Sequence, residues 1–285
     1  MRIEAVGSRD IVNRSADLLG ALLDELVQEV GGRERRCVIS VGSPDAALRV
    51  VSLPEMTWAE RKSAVRYEAQ RLVSWNIEEI PTKLRLETLD RKKNAYLVGA
   101  VRRADLAARL APLRLAGLRP VAADYDAFAL RRAFPDADAI VDIGKDRSTI
   151  HAYDQAPISV YVARGGDEIT QGIASDLSID IAAAEKRKRI LGPAGAGINS
   201  RGRLVAELAE GIERSRSRKT ISRIALTGNG ARLAGLAAAL ETACNVVVDT
   251  SVSALFEGAY PDDVLKYAAY DWTLAAGLAS WSLAS

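Results

Sequence analysis

Two glycine-bearing turns carry the residue types that could handle an anion. The first is Val141-Asp142-Ile143-Gly144-Lys145-Asp146-Arg147-Ser148-Thr149, set between two apolar stretches. A glycine at a hairpin tip lets backbone amides approach an anion with no Cβ in the way. Asp142, just before it, is placed to hold a magnesium ion through water beside phosphate groups. Lys145 offers a point charge for a phosphate, and Ser148 and Thr149 add hydroxyl donors. The plain alternative is a simple hairpin with a solvated Lys-Asp-Arg tip. The second turn is Leu226-Thr227-Gly228-Asn229-Gly230-Ala231-Arg232-Leu233, which reads as strand, loop and helix. Gly228 and Gly230 permit close approach of backbone to a ligand, and the N-terminus of a following helix favours negative charge. No Gly-Lys-Ser or Gly-Lys-Thr follows, so this is not a Walker A loop, and Leu233 stands where GxGxxG needs its third glycine. Turns of this kind also serve packing alone in α/β proteins.

Other chemistries are removed by composition. The chain has 285 residues with one histidine, His151, and two cysteines, Cys37 and Cys244. A His-rich metal site, a four-ligand zinc site and a disulfide framework all need more of these residues. A Ser-His-Asp triad would have to pass through His151, which sits in an apolar stretch and reads as structural. Lys and Arg number 39 against 37 Asp and Glu, a net charge of +2, so no global field points to nucleic acid. Met1–Asn13 lacks the apolar run of a secretory signal. The most apolar stretch, Ala268–Leu283, is interrupted by Asp271, so direct membrane insertion is not expected. A reduced, cytoplasmic setting follows.

The elements that must hold the two turns alternate between helix and strand, which makes the class α/β. Ile11–Val30 repeats apolar residues at helical spacing and stops at Gly31-Gly32. Cys37–Val41 is a continuous apolar run, expected to be a strand buried on both faces. A compact αβ module follows over residues 46–118. It has strands at 48–53, 83–89 and 96–101, and a helix from the capping box at Thr57–Glu60 to about Ser74. Its last helix, 104–116, is stopped by Gly117. Beyond it, 120–123 reads as a strand and 125–134 as a short helix. Ala137–Ile143, Arg147–Asp154 and Ile158–Ala163 predict a three-strand meander around the first turn. Later helices are predicted at 168–177, 180–190, 203–216, 233–242 and 265–283, with strands at 222–226 and 246–248 and a loop at 192–200. The domain reading is 1–140, carrying an inserted αβ subdomain at about 44–119, then 141–285 with a smaller subdomain at about 165–221. The basic runs Lys186–Arg189 and Arg214–Lys219 could meet an acidic partner or a phosphate, but most of their charges, Lys188 excepted, read as solvated helix faces. Trp58, Trp75, Trp272 and Trp281 read as core or interface anchors.

The order of the motifs is more specific than any one of them. Val141–Gly144 comes first, then Gly165-Gly166 with Ile169-Thr170, then Ile181 through Ala184-Glu185 to Lys188 and Gly192, then Leu226–Leu236. That order resembles the PilM family of type IV pilus assembly proteins, a branch of the actin-like ATPase superfamily related to FtsA and to the cytoplasmic domain of GspL. Leu53-Pro54-Glu55-Met56, Gly117-Leu118-Arg119-Pro120, and Asp124 with Ala129-Leu130 and Arg132-Ala133 are similar to that family's inserted subdomain and its exit. The resemblance implies an actin-like (ribonuclease H-like) two-domain fold with ATP and Mg²⁺ in the cleft between domains. It implies Asp142, Gly144, Lys145, Ser148 and Thr149 at the phosphates, Asp142 also at the metal. Glu185 and Lys188 are implied at adenine and ribose, and Gly228, Asn229 and Gly230 around the adenosine. Two departures stand out. The family's first DxG hairpin has no counterpart before the segment aligned with Met1–Asn13, so that phosphate loop is expected to be missing. Asn229 replaces a third glycine, and asparagine is the residue type that best tolerates a left-handed backbone.

In function, the resemblance implies a cytoplasmic scaffold of pilus or related secretion assembly, peripheral at the inner membrane through its partners. The implied partner is the cytoplasmic N-terminal tail of an inner-membrane protein, PilN in pilus systems, taken up by backbone pairing and a few side-chain pockets. Pilus motor ATPases and a second copy of the chain are further candidates. No general base with a partner stands out, so weak ATPase activity is the most expected of it. A kinase- or phosphatase-type enzyme of the same superfamily would need a carboxylate set against the γ-phosphate. A nucleotide-free scaffold of the GspL kind is the other alternative.

Overall fold

A computed structural model of the chain describes residues 7, 11, 15–31, 33–42, 44–72, 85–90, 94–191, 195–216, 220–251 and 262–281. The chain divides into two units, Met1–Ala129 with Ala275–Ser285, and Leu130–Leu274.

In the first unit, helix α1 (Ala16–Glu29) begins where the Ser15 hydroxyl accepts a hydrogen bond from the Leu18 amide. It ends ahead of Gly31, whose φ of +67° is open to glycine at little cost. Strand β1 (Arg36–Val41) leads to the inserted module, made of β2 (Ala46–Ser52), α2 (Trp58–Leu72), β3 (Arg85–Asp90) and β4 (Ala95–Val101). Its antiparallel sheet runs β2-β4-β3, with Ala46 opposite Val101 and Ser52 opposite Ala95. Val65 and Ala69 of α2 pack on Val51, Leu53, Tyr96 and Val98, and the Arg61 guanidinium lies 4.9 Å over the Tyr96 ring. The capping box forms as the sequence predicts. The Thr57 amide donates to Glu60 (2.8 Å), and the Glu60 amide donates to the Thr57 hydroxyl (3.4 Å). Helix α3 (Arg103–Leu115) stops before Gly117 at φ +68°, and β5 (Arg119–Tyr125) pairs in parallel with β1. That pair is only partly covered, so Cys37 is half-buried and not enclosed on both faces. Helix α4 (Asp126–Ala133) opens with Asp126, whose carboxyl burial pushes up in pKa despite a hydrogen bond from Ser40.

The second unit is built on a five-stranded sheet. Its strands are β6 (Ala139–Ile143), β7 (Ser148–Tyr153), β8 (Pro157–Val162), β9 (Arg223–Thr227) and β10 (Val247–Asp249), in the order β10-β9-β6-β7-β8. β6, β7 and β8 are the predicted meander, while β6, β9 and β10 run in parallel. Helices α5 (Gly166–Leu177), α6 (Ile181–Leu191), α7 (Ile198–Arg216), α8 (Leu236–Cys244) and α9 (Asp262–Ala279) complete the described elements. One continuous core joins Val141, Ile143 and Ile150 of the sheet to Ile169 and Ile173 of α5 and to Leu204, Leu208 and Ile212 of α7. Most of these side chains are fully buried, each worth roughly 1.5–3 kcal/mol of apolar transfer.

Several expectations change. α7 begins at Ile198, not near Arg203, because the Asp176 carboxylate accepts the Gly197 amide (2.7 Å) and seats a segment whose composition reads as loop. α8 begins at Leu236; a short 3₁₀ turn over Asn229–Arg232 and Gly235 at φ +74° separate it from β9. Arg216 is not on a solvated face, since its guanidinium donates to the carbonyls of Ile221 (3.2 Å) and Cys244 (2.6 Å). Trp58 is exposed at the start of α2. Trp75, residues 192–194 and residues 217–219 lie outside the described residues, as does most of Met1–Asn13.

Candidate functional site

Parallel pairing of β6 with β9 brings the two glycine turns to the same end of adjacent strands. Asp142 stands opposite Thr227 on β9 and opposite Thr149 on β7, so these three side chains share one face. Next along the chain, the Gly144 amide donates to the Arg147 carbonyl (2.9 Å) and closes the hairpin. The second turn lies directly against it. Gly228 has φ +77°, and a Cβ there would run into Asp142 Oδ1 and lie 2.6 Å from the Ile143 carbonyl oxygen. A Cβ on Gly230 would lie 2.8 Å from the Ile143 Cβ. Both glycines are therefore required by the close approach of the two turns. Asn229 is exposed and does not need a left-handed backbone; Gly228 takes that role and Asn229 opens the 3₁₀ turn.

A third element joins from α5. The Gly166 amide donates to the Gly144 carbonyl (3.0 Å) and the Asp167 amide to that of Lys145 (2.7 Å). A Cβ on Gly165 would lie 2.7 Å from Lys145 O and 2.8 Å from Arg147 N, so the Gly165-Gly166 pair lets the start of α5 press on the hairpin backbone. Lys145 is exposed at the tip, beside an Asp146–Arg147 ion pair at 3.2 Å. Ser148 faces inward and is 1% exposed, with its hydroxyl donating to the Arg164 carbonyl (2.7 Å). It ties β7 to the end of β8, and its proton is not offered outward. Thr149 is half-buried on the Asp142 face.

Glu185 and Lys188 of α6 turn toward α5. The Lys188 ammonium donates to the Gly166 carbonyl (3.0 Å) and the Thr170 hydroxyl (2.7 Å), and pairs with Glu185 at 2.6 Å. Thr170 donates to the same Glu185 oxygen (2.6 Å), and Arg189 donates to the other (2.9 Å). Burial disfavours ionisation of Glu185, but the hydrogen bonds from Lys188, Thr170 and Arg189 overcome it and hold its carboxyl at about 2. The structure thus brings Asp142, Gly144, Gly228 and Gly230 together, and links Glu185 and Lys188 to the hairpin through Gly166. The Gly165-Gly166 and Ile169-Thr170 pairs were visible as motifs, but their roles as hairpin support and hydrogen-bond bridge depend on contacts between α5, α6 and the hairpin. Nothing in the sequence signals a polar cavity of about 270 Å³ between α5 and α7, where Glu168, Asp176, Ser200 and Arg203 meet.

The family model described as type IV pilus assembly protein PilM matches residues 1–282. The chain belongs to the PilM family. Among solved structures, the PilM-PilN type IV pilus biogenesis complex is 26% identical with a TM-score of 0.77, covering 93% of this chain and 84% of that one. Ethanolamine utilization protein EutJ from Carboxydothermus hydrogenoformans (15% identity, TM-score 0.50) covers 85% of this chain and 88% of its own. MreB5 of Spiroplasma citri bound to ADP (11% identity, TM-score 0.51) covers 95% and 76%. At these identities the last two show the fold alone, and that fold is actin-like. None of the curated proteins matches the chain. Among the described residues of this PilM-family chain, no helix is long and apolar enough to cross a membrane.

Proposed function

We propose that this PilM-family chain is an actin-like scaffold of type IV pilus assembly that binds ATP–Mg²⁺ at the Asp142 turns and docks the cytoplasmic tail of a PilN-like inner-membrane protein. The observation that carries the nucleotide half is the meeting of two glycine turns around one carboxylate at the ends of parallel strands. Such a place combines small residues, backbone amides and an acid, the groups a hydrated cation and a polyphosphate use together. Among the described residues no group of three or more His, Cys, Asp or Glu is set to hold a metal. One carboxylate, Asp142, with the hydroxyl residues Thr149 and Thr227 opposite it, fits Mg²⁺, which keeps several waters and takes one or two carboxylates plus phosphate oxygens. In this reading Asp142 orients the hydrated ion, Gly144 and Gly228 keep Cβ atoms out of the way, and Lys145 balances phosphate charge from the hairpin tip. Thr149 and Thr227 flank Asp142, and Glu185 faces the nucleoside. ATP–Mg²⁺ would supply a compact polyanion that the two turns grip at once. Asn229 remains a backbone contributor at the adenosine side.

Support for the partner half is the relative solved as a PilM-PilN complex. Such a partner would hold this chain at the cytoplasmic face of the inner membrane. Motor ATPases and self-association stay secondary to it. The test is isothermal titration of ATP–Mg²⁺ into wild type and Asp142→Ala, followed by titration of a PilN-like tail peptide. Binding that Asp142→Ala weakens at least tenfold supports the nucleotide reading. Equal affinity in both proteins would remove Asp142 from it, and a peptide that fails to bind would remove the partner.

A further inference from the structure

We propose that strand β8 is a pairing edge, and that a second copy of the chain adds its own β8 there in antiparallel order. β8 (Pro157–Val162) is the outermost strand of its sheet, and among the described residues no strand pairs with its far side. An open edge is a template for another chain, and folded proteins blunt such edges with charged side chains or very short strands. The other described edge strands do so. β1 carries Arg36, β2 carries Arg49, β3 carries Arg85 and β5 carries Arg119. β10 is three residues long and ends on Asp249, which pairs with Arg223 at 2.6 Å. β8 reads Pro-Ile-Ser-Val-Tyr-Val, uncharged and made chiefly of β-branched and aromatic residues.

The ladder fixes which backbone groups of β8 are open. The Gly144 amide donates to the Arg147 carbonyl and the Tyr153 amide to that of Asp138 (3.0 Å), so the odd-numbered residues of β7 turn their backbone toward β6. The even-numbered ones bond to β8, where Ile158, Val160 and Val162 stand opposite Ala152, Ile150 and Ser148. Ser159 and Tyr161 are left with amide and carbonyl turned outward, and Pro157 with its carbonyl alone. Tyr161 is 37% exposed on this edge. A two-fold axis at Ser159 makes the pattern its own complement. Each Ser159 amide meets the carbonyl of the other Ser159, and each Tyr161 amide meets the carbonyl of the other Pro157. Proline has no N–H to leave unpaired at the end of that ladder. The same order brings the exposed Asp154 of one copy to the Arg164 end of the other. There the guanidinium, paired with Glu168 and Glu207, is still 33% exposed. Two uncharged strands meet with no like charges opposed along their length.

The test is sedimentation velocity of the full chain over rising concentration, with amide hydrogen exchange followed by NMR at both ends of the range. Wild type is expected to pass from monomer to dimer. On dimerising, the Ser159 and Tyr161 amides should exchange more slowly, while those of Ile158, Val160 and Val162, already bonded to β7, stay unchanged. Tyr161→Pro removes an outward donor and no bond to β7, a change an edge strand tolerates, and should weaken the dimer roughly tenfold or more. Tyr161→Lys keeps the backbone, adds a charge to the edge, and serves where the proline variant fails to fold. Circular dichroism of the same samples separates either effect from unfolding. Wild type that stays monomeric throughout overturns the proposal, and a PilN-like tail peptide that then protects the Ser159 and Tyr161 amides would assign the edge to a foreign strand. A dimer that both Tyr161 variants leave intact, or that leaves those two amides unprotected, puts the contact elsewhere and overturns it equally.

Discussion

His151 makes the sharpest pH prediction, because it is the one histidine of the chain. It stands on β7 between Ile140 of β6 and Ser159 of β8, is 1% exposed, and shares a 2.9 Å hydrogen bond between Nδ1 and the Ser159 hydroxyl. Burial keeps the ring neutral and pushes its pKa from 6.5 down to about 3. The unfolded chain takes up a proton below about pH 6.5, whereas the native ring does so only near pH 3. Stability is therefore fully present above pH 6.5 and is lost as pH falls through that window. With these two values the loss is about 2 kcal/mol at pH 5 and about 4 kcal/mol by pH 3. The perturbation is His151→Asn, which keeps a polar group near Ser159 and cannot titrate. The assay is urea unfolding of both proteins at pH 7 and pH 5. The variant should be less stable at pH 7, yet lose about 2 kcal/mol less than wild type on acidification. Proton NMR of the single imidazole gives an independent reading. Parallel pH slopes in the two proteins, or a native ring that titrates near 6.5, would show that burial does not hold the ring neutral.

Three further outcomes follow from the same geometry. Gly228→Ala places a Cβ against Asp142 and the Ile143 carbonyl at φ +77°, so thermal unfolding should show a loss of about 1–3 kcal/mol, and ATP–Mg²⁺ titration a weakened affinity. Glu185 has a native pKa of about 2 against an ordinary 4.5. Its contribution is complete above pH 4.5 and lost as pH falls toward 2, so an acid titration followed by circular dichroism should be flatter for Glu185→Gln across that window. Arg216→Ala leaves the carbonyls of Ile221 and Cys244 without their donor, and urea unfolding should report a loss of about 1–3 kcal/mol.

Much of the fold was legible because its apolar periods are clean. The meander β6–β8, the Thr57–Glu60 capping box and the left-handed stop at Gly117 all follow from local patterns. The start of α7 was not, since a distant carboxylate, Asp176, caps a stretch rich in glycine and asparagine. Nor was the break between the second glycine turn and α8, which depends on Gly235 taking a left-handed backbone. For the candidate site, Asp142 and the two turns were readable as types, and their order carried the family. The partners of Ser148, Glu185 and Lys188 were not readable, because hydrogen bonds between helices α5 and α6 and from β7 to Arg164 are set by tertiary packing.

Hydrogen–deuterium exchange with and without saturating ATP–Mg²⁺ shows whether nucleotide sits at the Asp142 turns. Bound nucleotide should slow exchange in residues 144–149 and 228–233, where the two glycine turns meet around Asp142, and in the Glu185 turn of α6. Binding seen by calorimetry with no protection in those segments, or with protection confined to the inserted module, would contradict it.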